Sequence, residues 1–200
     1  FAAHEAEMAQ DTIMDTNELE RERAITILAK NTAISWQGYK INIIDTPGHA
    51  DFSGEVERVL NMAEGCILLV DAAEGVLSQT RYVLSLALKL KLKPIVIINK
   101  VDRKDQRAAE VLNEINDLFL DLVEHENQLD FPVLYAVGRR GVVGKSEDLK
   151  DVKDLSLLFE TIIKTIPAPP GDREGPAQMQ ITTLDFDAHK GRYAIGRINR

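Results

Sequence analysis

The 200-residue sequence lacks most of the features that mark a specialised class of protein. It has one cysteine, Cys66, inside the apolar run Cys66–Val70, so no disulfide framework exists and the thiol is expected to be a small buried hydrophobe. No apolar run reaches the roughly 18 residues that a membrane span requires. The first residues also lack the basic and then apolar order of a secretory signal. We therefore expect a cytoplasmic protein without a membrane partner.

Basic residues are outnumbered by acidic ones. The chain has 24 Lys and Arg against 32 Asp and Glu, a net charge of −8, which argues against a broad surface for DNA or another nucleic acid but allows a local basic patch. Hydrophobic residues make up 44% of the chain and charged residues 28%, as in globular proteins that bury a core. The chain begins with Phe1 and not with Met, so we expect a processed chain or an internal piece of a longer one.

The apolar pattern predicts an α/β fold. Two strands are expected within 25–46, joined at the turn dipeptide Gln37-Gly38. Continuous apolar runs then alternate with helical patterns, which indicates a mostly parallel sheet covered by helices on both faces. The predicted strands are 66–72, 94–100 and 131–137, and the predicted helices are 77–92, 105–126 and 155–166.

A linker follows this alternation, in the proline-rich stretch Pro167–Pro176. Beyond it the pattern changes to two alternating strands around a turn at His189–Gly191, with no helix. We therefore predict a first domain over 1–168, a linker over 169–176 and, over 177–200, the beginning of a β-barrel domain.

The residues that end the apolar runs are the candidates for chemistry, because ligands of such sheets lie beyond the carboxyl ends of the strands. Asp45, Asp71 and Asn99 each close a run. For Asp71 we favour a cap on the turn that follows. A phosphoacceptor aspartate is the alternative, with no other support in the chain.

The tetrapeptide Asn99–Asp102, Asn-Lys-Val-Asp, has the groups needed to read a guanine. The Asp102 carboxylate can accept hydrogen bonds from the ring N–H and the exocyclic amine, a pair that adenine does not offer. Asn99 can reach the other side of the base and tie neighbouring loops together, while the Lys100 stem lies flat on the ring. Taken alone, the same tetrapeptide is usually a solvated turn.

A second motif, Asp45–His49 (Asp-Thr-Pro-Gly-His), suits the phosphate end of a nucleotide. Asp45 can hold Mg²⁺ through water, and Gly48 lets a backbone N–H approach a phosphate closely. His49 then falls where a residue that positions the attacking water is needed. The alternative for His49 is an ordinary surface histidine in a turn.

These motifs, with the segments 21–27 and 70–80, resemble the G domain of the translational GTPases, most closely the ribosome-associated TypA/BipA group. The resemblance implies a P-loop NTPase-type fold that hydrolyses GTP to GDP and phosphate, with Mg²⁺, on a ribosome (ribosomal RNA and proteins), in ribosome assembly or translation regulation. It also implies that Thr26 ligates Mg²⁺ and that His49 orients the attacking water. A LepA-like or elongation factor G-like GTPase is the alternative, as is a ribosome-binding module that does not hydrolyse GTP.

The sequence departs from this family in three places. The phosphate-cradling G-x-x-x-x-G-K-[ST] is absent, so we expect a G domain that lacks its first strand, P-loop and first helix through truncation, and a fragment inactive by itself. The run 144–146, Gly-Lys-Ser, has Arg139 where the first glycine belongs and is interpreted as a loop. Ala24 replaces a glycine usual in the family. Val137 and Gly138 replace the usual Ser-Ala beside the guanine, where a backbone N–H is still expected to meet the guanine carbonyl.

Overall fold

The structure, a computed structural model, describes residues 29–47, 53–125, 128–150, 152–171, 174–187, 189 and 191–199. It falls into two compact units, Phe1–Val59 and Leu60–Arg200. The predicted domain boundaries at 168 and 176 lie within the second unit and stay a prediction.

The first unit contains the predicted hairpin. Strands β1 (Lys30–Trp36) and β2 (Tyr39–Asp45) pair antiparallel, with Trp36 opposite Tyr39. Gln37 and Gly38 between them have φ values of 46° and 84°, as a tight two-residue hairpin turn requires. Helix α1 (Ser53–Leu60) follows and runs to the boundary between the units.

The second unit is built on a four-stranded sheet in the order β3-β4-β5-β6. Strands β3, β4 and β5 are parallel and β6 is antiparallel, which confirms the predicted mostly parallel sheet. Strand β6 was not predicted, because three residues are too few to show a period. The elements in order are β3 (Gly65–Asp71), α2 (Ser78–Lys89), β4 (Lys93–Asn99), α3 (Ala108–Leu122), β5 (Val133–Val137), β6 (Val142–Gly144), α4 (Ser156–Thr165), β7 (Met179–Asp187) and β8 (Gly191–Ile198).

The core of this unit lies around β4, in which residues 94–98 are all buried. Since successive side chains of a strand point to opposite faces, both faces of the sheet are covered there. On β3 the alternation is different: Leu68 and Val70 are buried, whereas Ile67 and Leu69 are 42% and 60% exposed. The expectation of a sheet covered on both faces therefore holds at β4, while one face of β3 is open.

Strands β7 and β8 form a separate antiparallel ribbon with a register irregularity between Ile181 and Thr183. The ribbon is fastened to the loop after α1, where the Thr182 hydroxyl lies 3.0 Å from Met62 Sδ and Arg197 Nη2 lies 2.5 Å from Glu64 Oε1. Within the described residues, no helix has both the length and the apolar character needed to cross a membrane.

Candidate functional site

The candidate site lies where β4 and β5 end. The two strands are parallel neighbours, with Asn99 beside Ala136, so their carboxyl ends share one edge of the sheet. The loop that follows β4 is held to β5 by the Val101 N–H, which donates to the Ala136 carbonyl at 3.3 Å. Lys100, between Asn99 and Val101, has a φ of 63°, an uncommon conformation for a residue with a side chain.

A cleft of about 430 Å³ opens at this edge. The five residues that the sequence predicts for base recognition all line it, so the fold brings together two segments more than thirty positions apart. Arg103 and Arg139 line it as well, and neither was predicted. The lining is Asn99, Lys100, Asp102, Arg103, Val137, Gly138 and Arg139.

The two segments are tied by a hydrogen bond in which the Gly138 N–H donates to Asn99 Oδ1 at 2.9 Å. This confirms that Asn99 links neighbouring loops. The sequence predicts a guanine carbonyl as the partner of the same N–H. The structure gives that N–H to Asn99, so contact with a base would require the bond to be shared or exchanged.

Asp71, which ends β3, closes the turn that follows it, as predicted. Its Oδ1 accepts hydrogen bonds from the N–H groups of Ala73 (2.8 Å) and Glu74 (3.2 Å). Its Oδ2 lies 2.8 Å from Lys100 Nζ and 3.4 Å from Arg103 Nη1. Burial acts to raise the pKa of Asp71, but the hydrogen bonds from Lys100, Ala73 and Glu74 outweigh burial and lower the pKa to about 2. Asp71 is therefore a fixed anion beside the cleft.

No local pattern in the sequence indicates the ion pair between Asp71 and Lys100. The two residues are 29 positions apart, and only the register of β3 on β4, which places Asp71 beside Asn99, brings them together. The signal that could have found the pair is the parallel register of β3 on β4, which brings the ends of the two strands to one edge of the sheet.

Residues 72–76, the loop after β3, are fastened to α3. Arg107 donates from Nε to the Ala73 carbonyl (3.0 Å) and from Nη2 to the Glu74 carbonyl (3.1 Å). Glu114 accepts from the Val76 N–H at 3.1 Å and is paired with Arg107. The hydrogen bonds from Arg107 and Val76 lower the pKa of Glu114. The loop that follows Asp71 is thus held by hydrogen bonds to both members of the Arg107–Glu114 ion pair.

Of the residues predicted for the phosphate end, only Asp45 is described. It is the last residue of β2, partly exposed, in register with Lys30. Its carboxylate is the hard oxygen donor that Mg²⁺ prefers. Thr26, Gly48 and His49 lie outside the described residues, and the described residues contain no cluster of His, Cys, Asp and Glu that could hold a metal ion by itself. The run 144–146 was expected to be a loop; Gly144 is instead the buried last residue of β6, whereas Lys145 and Ser146 form an exposed loop as expected.

Comparison with known proteins places these observations among the G domains. Residues 2–168 match the family model for the elongation factor Tu GTP binding domain. The chain is 50% identical to the large ribosomal subunit assembly factor BipA of Escherichia coli K12 over 96% of its length, and 50% identical to that of Bacillus subtilis over 97%. It spans about a third of these relatives, covering 31% and 32% of them.

Solved structures show the same fold at lower identity. The translation elongation factor SelB of Methanococcus maripaludis, in complex with a GTP analogue, superposes with a TM-score of 0.67 at 20% identity, covering 88% of this chain and 36% of its own. A bacterial selenocysteine-specific elongation factor superposes with a TM-score of 0.71 at 21% identity, covering 92% of this chain and 30% of its own.

Proposed function

Because the chain belongs to the family of elongation factor Tu GTP-binding domains, we propose that it is the guanine-recognising part of a BipA-type GTPase that acts on the ribosome. The BipA proteins that it resembles are named as assembly factors of the large ribosomal subunit, and we propose the same partner, ribosomal RNA and proteins, for the protein that contains this chain. The reaction is hydrolysis of GTP to GDP and phosphate by direct attack of water.

One observation carries the proposal: the cleft at the ends of β4 and β5 gathers the Asn99–Asp102 motif and the loop at Gly138. Asp102 is exposed at the rim of the cleft, with its carboxylate available as an acceptor for the guanine ring N–H and exocyclic amine. Carboxylate hydrogen bonds of this kind are charge-assisted, and about twice as strong as neutral ones. The cleft therefore supports recognition of guanine in preference to adenine.

The residues proposed to act on the phosphates and the metal ion all lie in the first 59 positions. Asp45 and Thr26 would hold Mg²⁺, which supplies positive charge beside the phosphates when it is bound. Gly48 would leave its N–H free to approach a phosphate, and His49 would orient the attacking water. Catalysis then comes from positioning and from electrostatic stabilisation, without a covalent intermediate.

Substitution of Asp102 tests the base assignment. Asp102→Asn in the full-length protein should shift the preference from GTP toward xanthosine triphosphate, because an amide can donate to the carbonyl that replaces the guanine amine. Loss of the charge-assisted contact should weaken GTP binding by about 2–4 kcal/mol. The measurement is a competition assay in which GTP or xanthosine triphosphate displaces a fluorescent nucleotide analogue from the protein.

Asp121→Asn is the matched control. Asp121 pairs with Arg81 at 2.7 Å on the exposed surface, outside the residues that line the cleft, so its removal changes the charge equally and should leave the preference unchanged. An Asp102→Asn protein that still prefers GTP by the wild-type ratio would contradict guanine recognition at this cleft.

A further inference from the structure

The carboxylate of Asp71 divides its two oxygens between two tasks. Oδ1 accepts from the backbone of the following turn, at Ala73 and Glu74, whereas Oδ2 faces the cations Lys100 and Arg103. The side chain is 12% exposed, compared with 54% for that of Lys100. A well-fixed anion therefore holds the end of a side chain that is otherwise largely in solvent.

Such a contact would lower the entropic cost of placing Lys100 against a bound base. Its stem is expected to lie against the plane of a bound base, yet a lysine side chain has four rotatable bonds, and immobilising such a side chain costs conformational entropy. An anchor that already fixes Nζ in the free protein removes part of that cost before a ligand arrives. The ion pair at 2.8 Å is this kind of anchor.

We propose that Asp71 is a positioning residue for base recognition, holding Lys100 along the wall of the cleft in the conformation that a purine ring stacks on. The inference rests on the proposed function, since it concerns the same cleft. Asp71 acts through Lys100 and does not touch the base, so it should affect every purine nucleotide alike, whereas Asp102 discriminates between them.

The surroundings of Asp71 suit this role. Its Oδ1 is fixed by two N–H groups, and the turn that supplies them is fastened to α3 by Arg107 and Glu114. The Ala72 N–H also donates to the Asn99 carbonyl at 2.8 Å, which joins the turn to the strand end that begins the base-reading motif. The anchor therefore has little freedom relative to the cleft.

Asp71→Asn separates the two tasks. The asparagine keeps one oxygen for the N–H groups of Ala73 and Glu74, but presents an NH2 group in place of Oδ2, and this group cannot accept from Lys100. We would compare the wild-type chain, Asp71→Asn and the charge control Asp121→Asn. NMR relaxation at the Lys100 ε-carbon reports the order of the side chain, and chemical-shift titration with guanosine and inosine monophosphates at millimolar concentration reports base binding without relying on the β- and γ-phosphates.

In Asp71→Asn we expect lower order at Lys100 and an affinity about threefold weaker for both nucleotides, with their ratio unchanged, the size typical of a solvent-accessible ion pair. Asp121→Asn should behave as wild type in both measurements. Unchanged order at Lys100, or lowered order with unchanged affinity, would overturn the positioning role alone. A wild-type chain in which neither nucleotide shifts the cleft amides would overturn both the role and the guanine-binding function.

Discussion

Gly75 offers a sharp test of how the loop after β3 is held. It is buried with a φ of 77°, and a Cβ built on it would lie 2.6 Å from Arg107 Nη2 and would overlap Glu114 Oε2. Gly75→Ala therefore combines two costs: a conformation that residues with a side chain rarely adopt, and displacement of the charged pair that fastens the loop to α3.

The two costs can be given magnitudes separately. A left-handed conformation costs about 1 kcal/mol for alanine. Displacing Glu114 from Arg107 and from the Val76 N–H should cost about 1 kcal/mol more, a low value because both side chains are partly exposed. We therefore expect Gly75→Ala to lower the free energy of unfolding by about 2 kcal/mol.

Gly141 is the matched control, with a φ of 63° and no atom within 4 Å of an added Cβ. Gly141→Ala should cost only the conformational part, about 1 kcal/mol. The test is urea unfolding of Gly75→Ala, Gly141→Ala, Glu114→Ala and the double variant that combines Gly75→Ala with Glu114→Ala. The double variant should lose about 1 kcal/mol less than the sum of its single variants, since truncating Glu114 removes the overlap. Equal costs at Gly75 and Gly141, or strict additivity, would refute the reasoning.

Three further outcomes are expected. His49→Ala in the full-length protein should lower ribosome-stimulated single-turnover GTP hydrolysis by at least ~10²-fold while GTP affinity changes by less than about threefold, and a surviving rate would return His49 to a turn residue. The pKa of the Asp71 carboxylate, about 2, is below its ordinary value, so this group contributes stability above pH 4. About 1 kcal/mol of that stability, after solvent screening, should be lost as the pH falls toward 2. A difference in the free energy of urea unfolding between wild type and Asp71→Asn that is equal at pH 2.5 and pH 6 would contradict this. Arg197→Met leaves Glu64 without its cation in a pair whose side chains are 20% and 16% exposed, and should lower the free energy of unfolding by about 2 kcal/mol. Adding Glu64→Gln should restore part of this loss. Additive losses of the two substitutions in urea unfolding would exclude the pairing.

The sequence alone determined most of the strands and helices and the base-reading motif, because these are encoded locally; the three-residue strand β6 is an exception. Continuous apolar runs bounded by turn residues indicate buried strands wherever they occur, and Gln37-Gly38 indicates a hairpin because Gly38 readily takes the positive φ that a two-residue turn requires. Asn99 and Asp102 carry their functional groups within one turn of chain. Their order and spacing could be interpreted without knowing what lies near them.

Tertiary structure decided which distant groups share a partner. The parallel register of β3 on β4 places Asp71 near Lys100, and that of β4 on β5 gives the Gly138 N–H to Asn99. Neither pairing leaves a local pattern, since any residue at a strand end could in principle meet any other at the same edge of the sheet. Strand order and register, set by the packing of the whole core, select the pairs that form, and this is the physical reason that the sequence could not reveal them.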